Sequence, residues 1–131
     1  MWNENELIVD DEKITLPTTE NDPKIKQVAF SPDGKSLLIA VNYKTYGNEQ
    51  QHKGVYLFFY QDGALVKELP LPTLSGKEIW NLAVDTADEN GVSNYACSDN
   101  TGNLYFNGHP FEQKRKDIET FTFQDGKLHI R

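Results

Sequence analysis

The chain has 131 residues, 13 Lys and Arg against 20 Asp and Glu for a formal charge of −7, and a single cysteine, Cys97. That length fits one domain. A lone thiol excludes an internal disulfide framework and a thiolate zinc site. No apolar run approaches the ~18 residues of a membrane span, and the negative balance disfavours nucleic acid and anionic membrane as partners.

The first six residues, Met1-Trp2-Asn3-Glu4-Asn5-Glu6, are acidic and lack the basic-then-apolar order of a secretory signal, so the expected compartment is cytoplasmic. Leu7-Ile8-Val9 and Ile14-Thr15-Leu16 flank Asp10-Asp11-Glu12-Lys13 and predict a short acidic hairpin closed by Pro17. A polar connector follows, and the first 23 residues form this hairpin and connector. Ile25 to Phe30, the turn Ser31-Pro32-Asp33-Gly34 and Ser36 to Val41 predict a second hairpin, in which Pro32 presets φ and Gly34 accepts a positive one. Val55 to Tyr60 and Leu65 to Leu69 flank Gln61-Asp62-Gly63 in a third.

Ile79 to Val84 predicts a strand, followed by the acidic loop Asp85 to Gly91 and by Ser93 to Cys97. Asp99-Asn100-Thr101-Gly102 turns the chain into Leu104-Tyr105-Phe106. Pro110 to Asp117 is the best place for a helix, since proline suits a first helical position. Ile118 to Phe123 and Leu128 to Ile130, around Gln124-Asp125-Gly126, predict a last hairpin. Leu37 to Val41 and Val55 to Tyr60 are apolar on both alternating faces, which predicts strands covered on two sides. Phe121, Phe123, Leu128 and Ile130 alternate with Thr122 and His129, which predicts one wet face.

Self-comparison reveals a repeat. Val28-Ala29-Phe30 with Leu38-Ile39-Ala40 matches Leu82-Ala83-Val84 with Asn94-Tyr95-Ala96, and Tyr56-Leu57-Phe58-Phe59 matches Asn103-Leu104-Tyr105-Phe106. Tyr60-Gln61-Asp62-Gly63-Ala64-Leu65 aligns with Phe123-Gln124-Asp125-Gly126-Lys127-Leu128. The expected fold is all-β: an antiparallel meander of two four-stranded repeats, 24–78 and 79–131, plus the N-terminal hairpin.

Val28-Ala29-Phe30-Ser31-Pro32-Asp33-Gly34-Lys35 resembles the first hairpin of a β-propeller blade of the WD40 or TolB-like kind, and Ala96 to Tyr105 resembles the second turn of the next blade. The resemblance implies blade-like repeats, either as a partial propeller or closed on each other like a sandwich. Asp99 matches the family's turn aspartate. The Trp-Asp and Gly-His signatures are missing, as is the histidine that would complete that aspartate's hydrogen-bond set. Closed propellers have about four to eight blades, and two repeats plus a hairpin fall short of that.

No catalytic constellation emerges. His52, His109 and His129 lack metal-site spacing, and Asp85 to Gly91 fails as a calcium loop because Cys97 stands where the bidentate carboxylate belongs. Neither a Gly-x-Ser-x-Gly elbow nor a phosphate loop occurs, and Cys97 lies in an apolar strand. The expectation is a non-enzyme without a cofactor.

The connection Asn42 to Gly54 is long and polar, and Tyr43 and Tyr46 within it are expected to be exposed recognition tyrosines. These features predict a protein-binding module, in concrete form a small acidic inhibitor of the immunity or antitoxin type. Asp10, Asp11, Glu12, Asp85, Asp88 and Glu89 would pair with a basic partner protein, and Tyr43 or Tyr46 would anchor. The alternative is a structural subunit or propeller fragment that completes a larger β-assembly.

Overall fold

The computed structural model describes residues 2, 6–9, 12–18, 20–74, 76–115 and 117–131, and only the backbone of 112 and 113. It is all-β, with two four-stranded antiparallel sheets and two separate hairpins. The N-terminal hairpin pairs β1 (Glu6–Val9) with β2 (Glu12–Thr15). The first sheet is an up-and-down meander of β3 (Lys24–Phe30), β4 (Ser36–Tyr43), β5 (Gly54–Gln61) and β6 (Ala64–Leu71). A 3-10 turn at Pro72–Leu74 leads into the second sheet. That sheet contains β7 (Ile79–Val84), β8 (Tyr95–Asp99), β9 (Asn103–Phe106) and β10 (His109–Lys114). β11 (Phe121–Gln124) and β12 (Lys127–Ile130) close the described chain as a hairpin.

The layers stack in chain order, and each contact between layers is an apolar cluster. Leu7 and Leu16 of the N-terminal hairpin segment meet Leu37, Ile39, Val41 and Phe58 of the first sheet. The opposite face of that sheet, with Leu38, Leu57 and Phe59, packs on Leu82, Val84 and Cys97 of the second. The far face of the second sheet, with Ala83, Ala96 and Leu104, is covered by Phe121 and Phe123. This explains why β4 and β5 are apolar on both faces: odd and even residues serve different cores. The C-terminal hairpin has one buried side, with Phe121 and Phe123 in and Thr122 and Gln124 out.

Turn chemistry sets the strand order. Asp62-Gly63, Asn107-Gly108 and Asp125-Gly126 all place two successive residues at positive φ, the two-residue hairpin turn that matches strand twist. The Asn107-Gly108 turn corrects the helix expected over Pro110 to Asp117. Reversal directly after β9 brings His109 opposite Phe106 and Pro110 opposite Tyr105, which makes 109–114 an edge strand. Proline is tolerated there because an edge strand does not need its N–H. A second correction follows. The fourth strand of the second sheet is β10, so the Phe123 to Leu128 turn is not the counterpart of the Tyr60 to Leu65 turn. It belongs to the separate hairpin beside β7.

Candidate functional site

Strand direction sorts the connections into two ends. The upper end holds the β3–β4 and β5–β6 turns, the β7–β8 loop and the β9–β10 turn. The lower end holds the β4–β5 loop, the Asp99–Gly102 turn and the connection that carries Lys77.

At the upper end the carboxylates first build their own loops. Asp33 accepts hydrogen bonds from Ser31 Oγ at 2.5 Å and from Lys35 N at 3.1 Å. The Ser31 bond, then the Lys35 bond, lower its pKa. Asp88 accepts from Asn90 N at 2.8 Å and Val92 N at 3.0 Å, and its backbone closes the same turn with Gly91 and Val92. Asp85 accepts from Thr86 N at 2.8 Å. The β7–β8 loop thus stands as a formed projection, with Asp88 and Glu89 exposed and Asp85 half-buried at its base. Among the described residues, no group of three His, Cys, Asp or Glu side chains is placed to hold a metal ion.

Two clefts flank this end. One, of about 340 Å³, lies between the β7–β8 loop and the first sheet, lined by Gln61, Val66, Lys67 and Val92 among others. The other, of about 530 Å³, lies between the N-terminal hairpin and the first sheet, lined by Glu12, Lys13, Phe30, Lys35 and Asp62 among others. Lys13 is held 2.8 Å from Glu6, and Lys67 lies over the Phe59 ring, 5.7 Å from its centroid. Two of the lysines at this end are thereby engaged locally. Phe30, Val66 and Val92 are exposed large apolar side chains; Phe30 lines the cleft that Glu12 lines, and Val66 and Val92 line the other.

The predicted site residues separate. Glu12, Asp85, Asp88 and Glu89 share the upper end. Asp10 and Asp11 lie outside the described residues. Tyr43 is a correction: β4 runs through it, it pairs with Gly54, and it is only 4% exposed. Its hydroxyl donates to Thr18 O at 3.3 Å, and its ring meets Tyr56 edge-on. Burial pushes its pKa up. The rule of alternation placed it on the face under Leu16, not in a loop. Tyr46 is 68% exposed with Lys44 over its ring, but it sits at the lower end. The eight residues of β4 separate the two ends by about 25 Å at ~3.3 Å per residue. Tyr46 and the acids therefore lie at opposite ends of the first sheet.

The lower end is tied down rather than open. Asn21 Nδ2 donates to Lys44 O and His52 O, at 3.1 and 2.8 Å. His52 Nε2 lies 2.9 Å from Glu68 Oε1, and its ring packs 4.4 Å from that of Tyr56. These contacts pin the base of the long loop to the sheet. At the Asp99 turn, the carboxylate accepts from Thr101 N, Thr101 Oγ1, Asn103 N, Asn103 Nδ2 and Tyr105 OH. Thr101, Asn103 and Tyr105 thus supply these donors from within the turn and the strand after it.

Residues 30, 66 and 92 were not legible as site residues. Phe30 and Val66 read as ordinary strand positions, and Val92 falls in a loop read only for its acids. The chain matches no protein-family profile, no curated protein and no solved structure.

Proposed function

We propose that the chain is a non-enzymatic protein-binding module whose upper end docks on a basic partner protein, in the manner of an acidic immunity-type inhibitor that covers a cationic cleft. The observation that carries this reading is the convergence of Glu12, Asp85, Asp88 and Glu89 with exposed Phe30, Val66 and Val92 at one end of the stack. Carboxylates at a rim steer an oppositely charged protein and set its orientation, while desolvated apolar contacts supply most of the affinity. Loops held by their own aspartates present these groups with little ordering cost on binding.

The test is capture and cross-linking from the source organism's lysate at low salt, with wild type and the Glu12→Lys, Glu89→Lys double variant in parallel. The expected result is a basic protein whose cross-links map to the upper end, whose association slows steeply with added salt, and which the variant loses. Cross-links that map to the lower end, or an association rate indifferent to salt and to charge reversal, would overturn the reading.

A further inference from the structure

β3, β7 and β11 lie side by side with β7 in the middle, and they line a groove of about 490 Å³. Apart from Thr122 and Gln124 its lining residues are apolar, and Phe30 within it is 49% exposed. All three strands finish at the upper end. β3 and β7 run there into the β3–β4 turn and the β7–β8 loop. In β11, Phe123 packs 6.1 Å from Phe106, the last residue of β9, and the β11–β12 turn follows directly.

Each strand delivers an aspartate to that mouth. Pro32, Val84 and Gln124 line the groove, and Asp33, Asp85 and Asp125 are the residues that follow them. Consecutive Cα atoms are ~3.8 Å apart, so the three aspartates stand around one opening. Their local hydrogen bonds leave the charge in place. Asp33 and Asp85 accept from a hydroxyl and from backbone N–H groups, which are neutral donors, and Asp125 is exposed. Lys35 and Lys127 follow two of the aspartates across their turns, but neither lines the groove. Lys26, further down β3, is answered by Glu78 at 3.9 Å. The two flanking clefts have lysine in their walls, Lys67 in one and Lys13 with Lys35 in the other. The described lining of this groove holds no lysine or arginine.

We propose that the groove receives an arginine-bearing peptide segment of the basic partner, with the arginine stem on the apolar lining beside Phe30 and the guanidinium at Asp33, Asp85 and Asp125. This rests on the reading of the upper end as the docking face and names what enters it. Arginine matches both halves of the groove: its methylene stem covers apolar surface while its head keeps its charge and stacks on an aromatic ring. A purely apolar occupant would leave the acids unanswered, and the same acids repel nucleic acid and anionic lipid. Val28 to Pro32 spans about 16 Å at ~3.3 Å per residue, which sets the segment at about five extended residues.

The probe is a dye-labelled, end-capped pentapeptide of leucine with arginine at its second and fourth positions. Its fluorescence anisotropy is read against the 131-residue chain at about 0.15 M salt, where charges beyond ~8 Å are screened. The expected result is saturable binding at least about tenfold tighter than that of the same peptide with glutamate for arginine. Thr122→Arg, at an exposed position of the lining, is expected to weaken binding by about tenfold or more, as is the triple variant Asp33→Asn, Asp85→Asn, Asp125→Asn. Asparagine suits the turns, so the triple change removes charge and leaves the backbone its residue type. Glu12→Lys with Glu89→Lys, outside the lining, is expected to change binding by less than about threefold. On the wild type, amide NMR shifts on titration should centre on 28–32, 82–85 and 121–125, a readout that needs no variant to fold.

No saturation at millimolar peptide, equal binding of the glutamate peptide, or shifts centred elsewhere would overturn the proposal. So would a loss from Glu12→Lys with Glu89→Lys as large as that from Thr122→Arg, because the attraction would then be diffuse. The peptide assay contains no partner protein. Charge-dependent capture of a basic protein with a silent peptide removes the groove and leaves the rim, whereas failed capture with a bound peptide removes the rim reading alone.

Discussion

Replacing Asp99 by asparagine tests the lower-end turn with a change of one atom. The Asp99 residue is 1% exposed, and its carboxylate takes hydrogen bonds of 2.9 and 2.6 Å from Thr101, 3.1 and 3.3 Å from Asn103 and 3.0 Å from Tyr105. Lys77 Nζ lies 3.7 Å away. Burial by itself would raise the pKa of this carboxyl, but the bonds from Thr101, Tyr105 and Asn103 outweigh it and hold the value at about 2. Relative to an ordinary 3.8, a depressed folded-state value means the unfolded chain binds the proton more readily. The contribution to stability is therefore complete above about pH 5 and is lost as pH falls toward 2. The shift corresponds to about 2 kcal/mol, from ~1.4 kcal/mol per unit.

Asparagine at that position keeps the shape but removes the charge and replaces one accepting oxygen by an amide donor, so that the groups now donating to that oxygen lose their acceptor. Charge-assisted bonds are each worth about 1.5–3 kcal/mol and are not additive, so Asp99→Asn is expected to cost about 3 kcal/mol at pH 7. Urea denaturation of both proteins at pH 7 and near pH 2 reads the difference. The gap should shrink by about 2 kcal/mol at the lower pH, because only the wild type has this proton to gain; the other carboxylates titrate in both. A gap below about 0.5 kcal/mol at pH 7, or one that does not change with pH, would refute the account of the turn.

Three further outcomes are expected. Phe58→Ala, at a fully buried position in the cluster under the N-terminal hairpin, should cost about 3–5 kcal/mol in the same urea assay. Gly63→Ala should cost about 1 kcal/mol although no atom lies within 4 Å of the added methyl, since the penalty comes from its φ of +83° alone; thermal melts against Gly63→Asn, which tolerates that region, would check it. Cys97, 1% exposed and with its thiol pushed up to about 12 chiefly by burial, should resist iodoacetamide in the native protein and react at the rate of global unfolding.

The amino-acid sequence determined most of the local structure because strand signals are short-range. Asp-Gly and Asn-Gly pairs fix reversals through positive φ, and an apolar residue on both faces of β4 and β5 requires cover on both sides, whatever provides it. Only the tertiary structure decided what provides it. That Leu7 covers Ile39, that Phe121 covers Ala83, and that 109–114 is an edge strand depend on which layers meet, and alternation carries no label for its partner. The same holds for the candidate site. Composition located the acids, but the up-and-down order of the strands placed them with Phe30 and Val92 and sent Tyr46 to the opposite end, while Tyr43 went inside. Charge and turn propensity are properties of residues, whereas shared surface is a property of how the chain is routed.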